Sequence, residues 1–167
     1  LTDPSYCGQT IVFSYPLIGN YGYSQEVNQS SKIHASAVIV RELELEDKDS
    51  ALESFLKTNQ ISVLSGIDTR ELTKKIRNEE NLVGFVTKEK KTKGQLFSIF
   101  SKHSMKDVVA QVSTPAPYVC KPKSKPKKRV ALIDFGVKKG IIEALLQRGI
   151  EVHVFPYSSS FEEIKKS

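Results

Sequence analysis

The apolar positions of this chain fall into short runs, and the period within each run predicts its element. Gln9 to Tyr15 is rich in β-branched and aromatic residues and predicts a strand. His34 to Val40, with Leu43 and Leu45, predicts a second strand region. Ser50 and Glu53 are spaced as a capping box, and Leu52, Phe55 and Leu56 then line one face of a helix. Ile61 to Ile67 reads as a short strand. Asp68 follows as N-cap of a helix that turns Leu72 and Ile76 inward, with Glu71 three residues on. Leu82 to Thr87 reads as a further strand. Leu96, Phe97, Ile99 and Phe100 predict one amphipathic helix, and Val108, Val109 and Val112 a second.

The pattern changes character after residue 128. Arg129 to Asp134 predicts a buried strand of the parallel kind. Lys138 to Arg148 predicts a helix burying Ile141, Ile142, Leu145 and Leu146, stopped by Gly149 at C′. Ile150 to Phe155 predicts the next strand, and Ser158 to Glu163 opens another helix. Strand, helix, strand and helix in this rhythm mark the start of a doubly wound α/β domain. The Gly136 and Gly140 pair is not the dinucleotide GxGxxG, and no GxxxxGK[ST] loop cradles a nucleotide.

Composition sets the limits. The chain has 167 residues, 39% of them hydrophobic and 26% charged, enough for one domain or for a small domain and part of another. No apolar run approaches a membrane span, and no signal-peptide pattern opens the chain. Leu1 is not an initiator Met, and Phe161 to Ser167 stops inside a helical pattern, so a piece cut at both sides is expected.

Charge is concentrated in one place. Lys121, Lys123, Lys125, Lys127, Lys128 and Arg129 supply six positive charges with no acid between Pro115 and Arg129, equal to the net +6 of the whole chain. Pro115, Pro117, Pro122 and Pro126 extend the same tract towards polyproline geometry. A solvated Lys/Pro-rich linker is the reading favoured here. Nucleic-acid attachment is the alternative, disfavoured because only Tyr118 offers stacking nearby.

The two cysteines, Cys7 and Cys120, have no CxxC or Cys/His metal spacing, and so few thiols suit a reducing cytoplasm. His34, His103 and His153 lie in unrelated stretches, and nothing places one of them beside Cys7 as a base. Arg70 sits in the first turn of its helix, where the dipole disfavours a cation, so a carboxylate partner across a domain or subunit contact would suit it.

The most tightly specified backbone is at the front. Pro4 and Pro16 fix φ, while Gly19, Asn20 and Gly22 tolerate positive φ. Ser5, directly after Pro4, reads equally as a turn or cap serine or as a functional hydroxyl.

Five stretches in order carry a family resemblance: TDPSY at 2–6, YPLIGNYG at 15–22, VIVREL at 38–43, GIDTRELT at 66–73 and DFGVK at 134–138. Together they resemble the small, glutamine-hydrolysing chain of carbamoyl-phosphate synthetase. The resemblance covers nearly the whole chain except residues 88–128.

It implies an α/β chain with an amino-terminal swivelling β/β/α domain followed by the start of a flavodoxin-like class I glutaminase domain. The boundaries expected are 1–114 for the first domain, 115–128 for the linker and 129–167 for the first βαβα of the second. The resemblance implies that the catalytic cysteine, histidine and glutamate, and the family's SNGPGDP loop, lie beyond Ser167, so no catalytic residue and no metal site is assigned. Ser5 matches the serine that reaches the bound glutamine.

No cofactor is expected in this chain, because ATP and Mg act in the large chain, which is the implied partner alongside L-glutamine. A cytoplasmic ligase of pyrimidine or arginine synthesis is implied, inactive as this piece alone. The competing class is a non-catalytic module that binds nucleic acid through its basic tract. Gly140 departs from the family, where an asparagine is usual.

Overall fold

The structure is a computed structural model, and it describes residues 1–44, 51–79, 82–102 and 107–166. In chain order the elements are β1 (Thr10–Val12), β2 (Leu17–Ile18), β3 (Ala37–Ile39), β4 (Glu42–Leu43), α1 (Ala51–Thr58), β5 (Ser62–Leu64), α2 (Thr69–Asn78), α3 (Lys93–Lys102), α4 (Val108–Val112), β6 (Tyr118–Cys120), β7 (Lys128–Asp134), α5 (Lys139–Gln147), β8 (Ile150–Pro156) and α6 (Phe161–Lys165). Single 3₁₀ turns lie at Pro4–Tyr6 and Gln25–Val27. The mixed helices and parallel strands make this an α/β protein.

The chain divides into two compact units. One comprises Leu1, 8–27 and 33–106; the other comprises 2–7, 28–32 and 107–167.

In the first unit β1, β3 and β5 form a parallel sheet in that order, Ile11 beside Val38 and Val38 beside Val63. A second parallel pair joins β2 to β4. The core is Ile33, Ala35, Ala37, Val38, Val40 and Leu56, and Val40 is wholly inaccessible. Tyr23 stacks on Phe55 with ring centroids 4.4 Å apart. Asp68 caps α2 as its sequence predicts, accepting from the N–H groups of Arg70 and Glu71 at 3.1 and 3.0 Å.

Several expectations change in this unit. The front strand shrinks to three residues, because Phe13 makes a last bond to Ile39 before the chain turns into Pro16. Leu82 to Thr87 forms no strand: Gly84 interrupts the run, and Leu82, Val83 and Phe85 stay about half exposed. Ile76 and Phe97 face solvent, so α2 and α3 bury narrower stripes than their sequences suggest. Ser50, Leu45 and His103 lie outside the described residues.

In the second unit the sheet order is β6-β8-β7, with β7 parallel and β6 antiparallel to the central β8. Val152 and Val154 of β8 are wholly buried, and α5 packs on this strand. The rim strand β7 is less buried than expected. Arg129, Ala131 and Ile133 are exposed while Val130 and Leu132 are half-buried, because an edge strand has one neighbour rather than two. Ile141 likewise faces outward, leaving Ile142, Leu145 and Leu146 as the packed face of α5. Gly149 ends α5 at φ +75°, and Ser160 with Glu163 forms a reciprocal capping box on α6. Within the tract 115–128, Tyr118–Cys120 is a strand, so that tract enters the sheet of this unit.

Candidate functional site

Ser5 lies on the 3₁₀ turn Pro4–Tyr6, which starts because Pro4 presets φ and Asp3 caps the free amides. One carboxylate oxygen of Asp3, Oδ1, accepts from both Ser5 N at 3.0 Å and Ser5 Oγ at 2.8 Å. Its second oxygen, Oδ2, lies 3.4 Å from Lys138 Nζ. Burial opposes ionisation of Asp3, but the backbone and hydroxyl bonds from Ser5 and the Lys138 ammonium outweigh it and hold the carboxyl below its ordinary value. An ionised carboxylate only accepts, so the Ser5 hydroxyl proton points at Asp3 and Ser5 Oγ meets other groups as an acceptor.

Lys138 is aimed by the turn that closes β7. Asp134 is buried, and its carboxylate takes three backbone N–H groups. Oδ1 accepts from Gly136 at 2.9 Å and Val137 at 2.7 Å, and Oδ2 from Thr114 at 2.7 Å. Gly136 has φ +99°, and a Cβ there would stand 3.0 Å from both Pro4 Cβ and Val112 Cγ2. The missing side chain is what lets the Ser5 turn lie against the end of β7.

A second strap fixes the same turn from behind. Thr2, itself buried, accepts from Gln29 N at 3.0 Å through its hydroxyl, and its carbonyl accepts from Ser30 Oγ at 2.7 Å. Gln29 reaches the start of α5: its carbonyl accepts from Lys139 N at 2.8 Å and its side-chain oxygen from Gly140 N at 3.2 Å. A Cβ on residue 140 would come 3.1 Å from that oxygen, so glycine at this position leaves room for the Gln29 amide.

Of the groups singled out from sequence, Ser5 and the 134–138 turn come together. Cys7 follows on the same segment, with Sγ 3.7 Å from Gln111 Oε1. His153 is elsewhere, on β8, with Nε2 2.8 Å from Glu151 Oε1. Arg70 is exposed on α2. Sequence reasoning assigned no role to Asp3, Gln29 or Asp134. The spacing Asp-Pro-Ser carried a usable signal for Asp3, since an aspartate before an N1 proline is a cap. Nothing local announces Gln29, whose partners are more than twenty residues away.

These features define a class: an α/β protein whose front turn offers an exposed serine bonded to an aspartate, which in turn pairs with a lysine from the βα turn after β7, a strand parallel to β8 in a mixed sheet. The family model described as carbamoyl-phosphate synthase small chain, CPSase domain, matches residues 1–86. The carbamoyl phosphate synthase small chain of Caldanaerobacter subterraneus is 38% identical over 98% of this chain and 44% of its own length. That of Clostridium perfringens is 39% identical over 98% and 47%. The pyrimidine-specific small chain of Halalkalibacterium halodurans is 39% identical over 98% and 46%. The chain belongs to the carbamoyl-phosphate synthase small chain family. It spans less than half the length of these relatives.

Proposed function

We propose that this chain is the front part of a glutaminase subunit that hydrolyses L-glutamine and hands the ammonia to a large synthetase chain. There ammonia, bicarbonate and ATP with Mg yield carbamoyl phosphate. The observation that supports this is the Asp3–Ser5–Lys138 cluster, in which the serine of the TDPSY motif is linked through Asp3 to the lysine of the DFGVK motif. With its hydroxyl donating a hydrogen bond to the Asp3 carboxylate, Ser5 Oγ suits a donor on the substrate, such as the ammonium or the carboxamide N–H of an amino acid.

In this reading residues 1–114 form most of a swivelling β/β/α domain that docks the large chain. Residues 129–167 open a flavodoxin-like glutaminase domain. The nucleophilic cysteine, its histidine and its glutamate follow Ser167. There the thiolate attacks the amide carbon, the histidine protonates the amide nitrogen so that the C–N bond breaks and ammonia leaves, and water releases glutamate from the thioester. The 167 residues contribute Ser5 to glutamine binding but alone do not turn glutamine over, and the assembly works in the cytoplasm for pyrimidine or arginine synthesis.

The test is glutamine hydrolysis by the full-length gene product, with and without its large chain, repeated with Ser5→Ala. The proposal expects stimulation by the large chain and a KM for glutamine raised about tenfold by the loss of one hydrogen bond. No stimulation together with an unchanged KM would overturn it.

A further inference from the structure

The basic tract is a fastened arch within the second unit. It leaves β6 at Cys120, beside Val152 of β8, and enters β7 at Lys128, beside Ile150. In crossing, it passes the start of the central strand, where Lys127 N donates to Gly149 O at 2.8 Å and the Lys127 stem lies over Gly149. Lys121, Lys123, Lys125, Lys127, Lys128 and Arg129 are all exposed. The exposed Arg148, at the end of α5 and adjacent in sequence to Gly149, adds a cation to the same rim. Glu151 pairs with Arg129 at 3.3 Å and neutralises that one. Six cations remain at the amino-terminal edge of β7 and β8, while Asp134 and Lys138 stand at the carboxyl end of β7.

We infer that this rim is a contact surface for the phosphate backbone of double-stranded nucleic acid, read without regard to base sequence. Three alternatives fit the rim less well. Protein interfaces place aromatic and arginine anchors at their centres and are depleted in lysine, whereas residues 121–129 hold five lysines and no aromatic. Single strands are held by stacking on aromatic rings, and the arch has none. Anionic membranes are held most firmly when a basic patch accompanies an apolar face or lipid anchor, and the arch has no large apolar side chain. Lysines on an extended, proline-stiffened segment suit phosphates, which they meet as point charges without demanding bidentate geometry.

The experiment is fluorescence anisotropy of the purified chain with a labelled mixed-sequence duplex, across about 50 to 200 mM salt. Four or five phosphates met at about 0.9 each give a log–log salt slope of roughly −3.6 to −4.5. Lys123→Gln, Lys125→Gln and Lys128→Gln together change only exposed side chains, and unaltered thermal unfolding shows that the variant folds. It should weaken binding at least tenfold and shallow the slope by about 2 to 3. A wild-type slope no steeper than about −2, or equal binding by the variant, overturns the inference. So does tighter binding to a single strand, to phosphatidylserine vesicles or to poly-glutamate than to the duplex.

Discussion

Asp3 collects the amide and the hydroxyl of Ser5 on a single oxygen, at 3.0 and 2.8 Å, and turns its other oxygen to Lys138. A proton on Asp3 would have to displace these donors, so the group titrates below 3.8. Because the folded value is depressed, the stabilisation is complete above 3.8 and is lost as pH falls through the folded value. Carboxyl-carbon NMR of Asp3 should show a midpoint below 3.8, and Ser5→Ala or Lys138→Gln should each move it upward. A midpoint unmoved by both substitutions would mean that the cluster does not form in solution.

Asp134 should be far less tolerant of change than its location at a strand end suggests. Removing its carboxylate strands the N–H groups of Thr114, Gly136 and Val137 together. Asp134→Ala is expected to lower unfolding free energy by about 2–4 kcal/mol, read from urea denaturation. Asp134→Asn should recover only part of this, since its NH₂ group must face other donors.

Two glycines should answer alanine oppositely. Gly136→Ala meets both a positive φ and the 3.0 Å approach of Pro4 and Val112, and is expected to cost about 1–3 kcal/mol. Gly84 has open space around its Cβ position and no positive φ, so Gly84→Ala should be neutral or slightly stabilising. Chemical denaturation of the two variants in parallel makes the comparison.

The cap of α2 gives a pH signature. Hydrogen bonds from the Glu71 and Arg70 amides, helped by nearby Arg41 and Lys74, outweigh desolvation and depress the Asp68 carboxyl below 3.8. Its contribution is therefore present above 3.8 and fades as pH falls below it. Asp68→Ala should lower Tm by roughly 2–4 °C at neutral pH. The difference should narrow near pH 3, whereas Asp68→Asn keeps a cap oxygen and should show a smaller, flatter deficit.

The parts of the fold readable from sequence are those whose cause is local. Asp68 caps because it precedes a helical stripe, Gly149 stops α5 because glycine accepts positive φ, and the alternation in β8 places Val152 and Val154 inside. Strand β6 was hidden because three residues in a proline-rich tract become a strand only by pairing with β8, some thirty residues on. The exposure of Ile133 was hidden for a related reason, since edge and centre positions depend on strand order, which periodicity does not encode. At the candidate site Ser5 was legible through its motif, whereas Gln29 and the lysine bracing Asp3 depend on partners far along the chain.

The chain changes allegiance several times, for residues 2–7 and 28–32 belong with 107–167 although 8–27 and 33–106 build the other unit. During translation the front turn therefore keeps only its local bonds until the ribosome has delivered the turn after β7 and the start of α5. Thr2 meets Gln29 and Ser30 early, but Gln29 meets Lys139 and Gly140, and Asp3 meets Lys138, only after the start of α5 has emerged, so the front turn is completed late although it is made first. A nascent chain halted before Lys139 would leave that turn open to proteases.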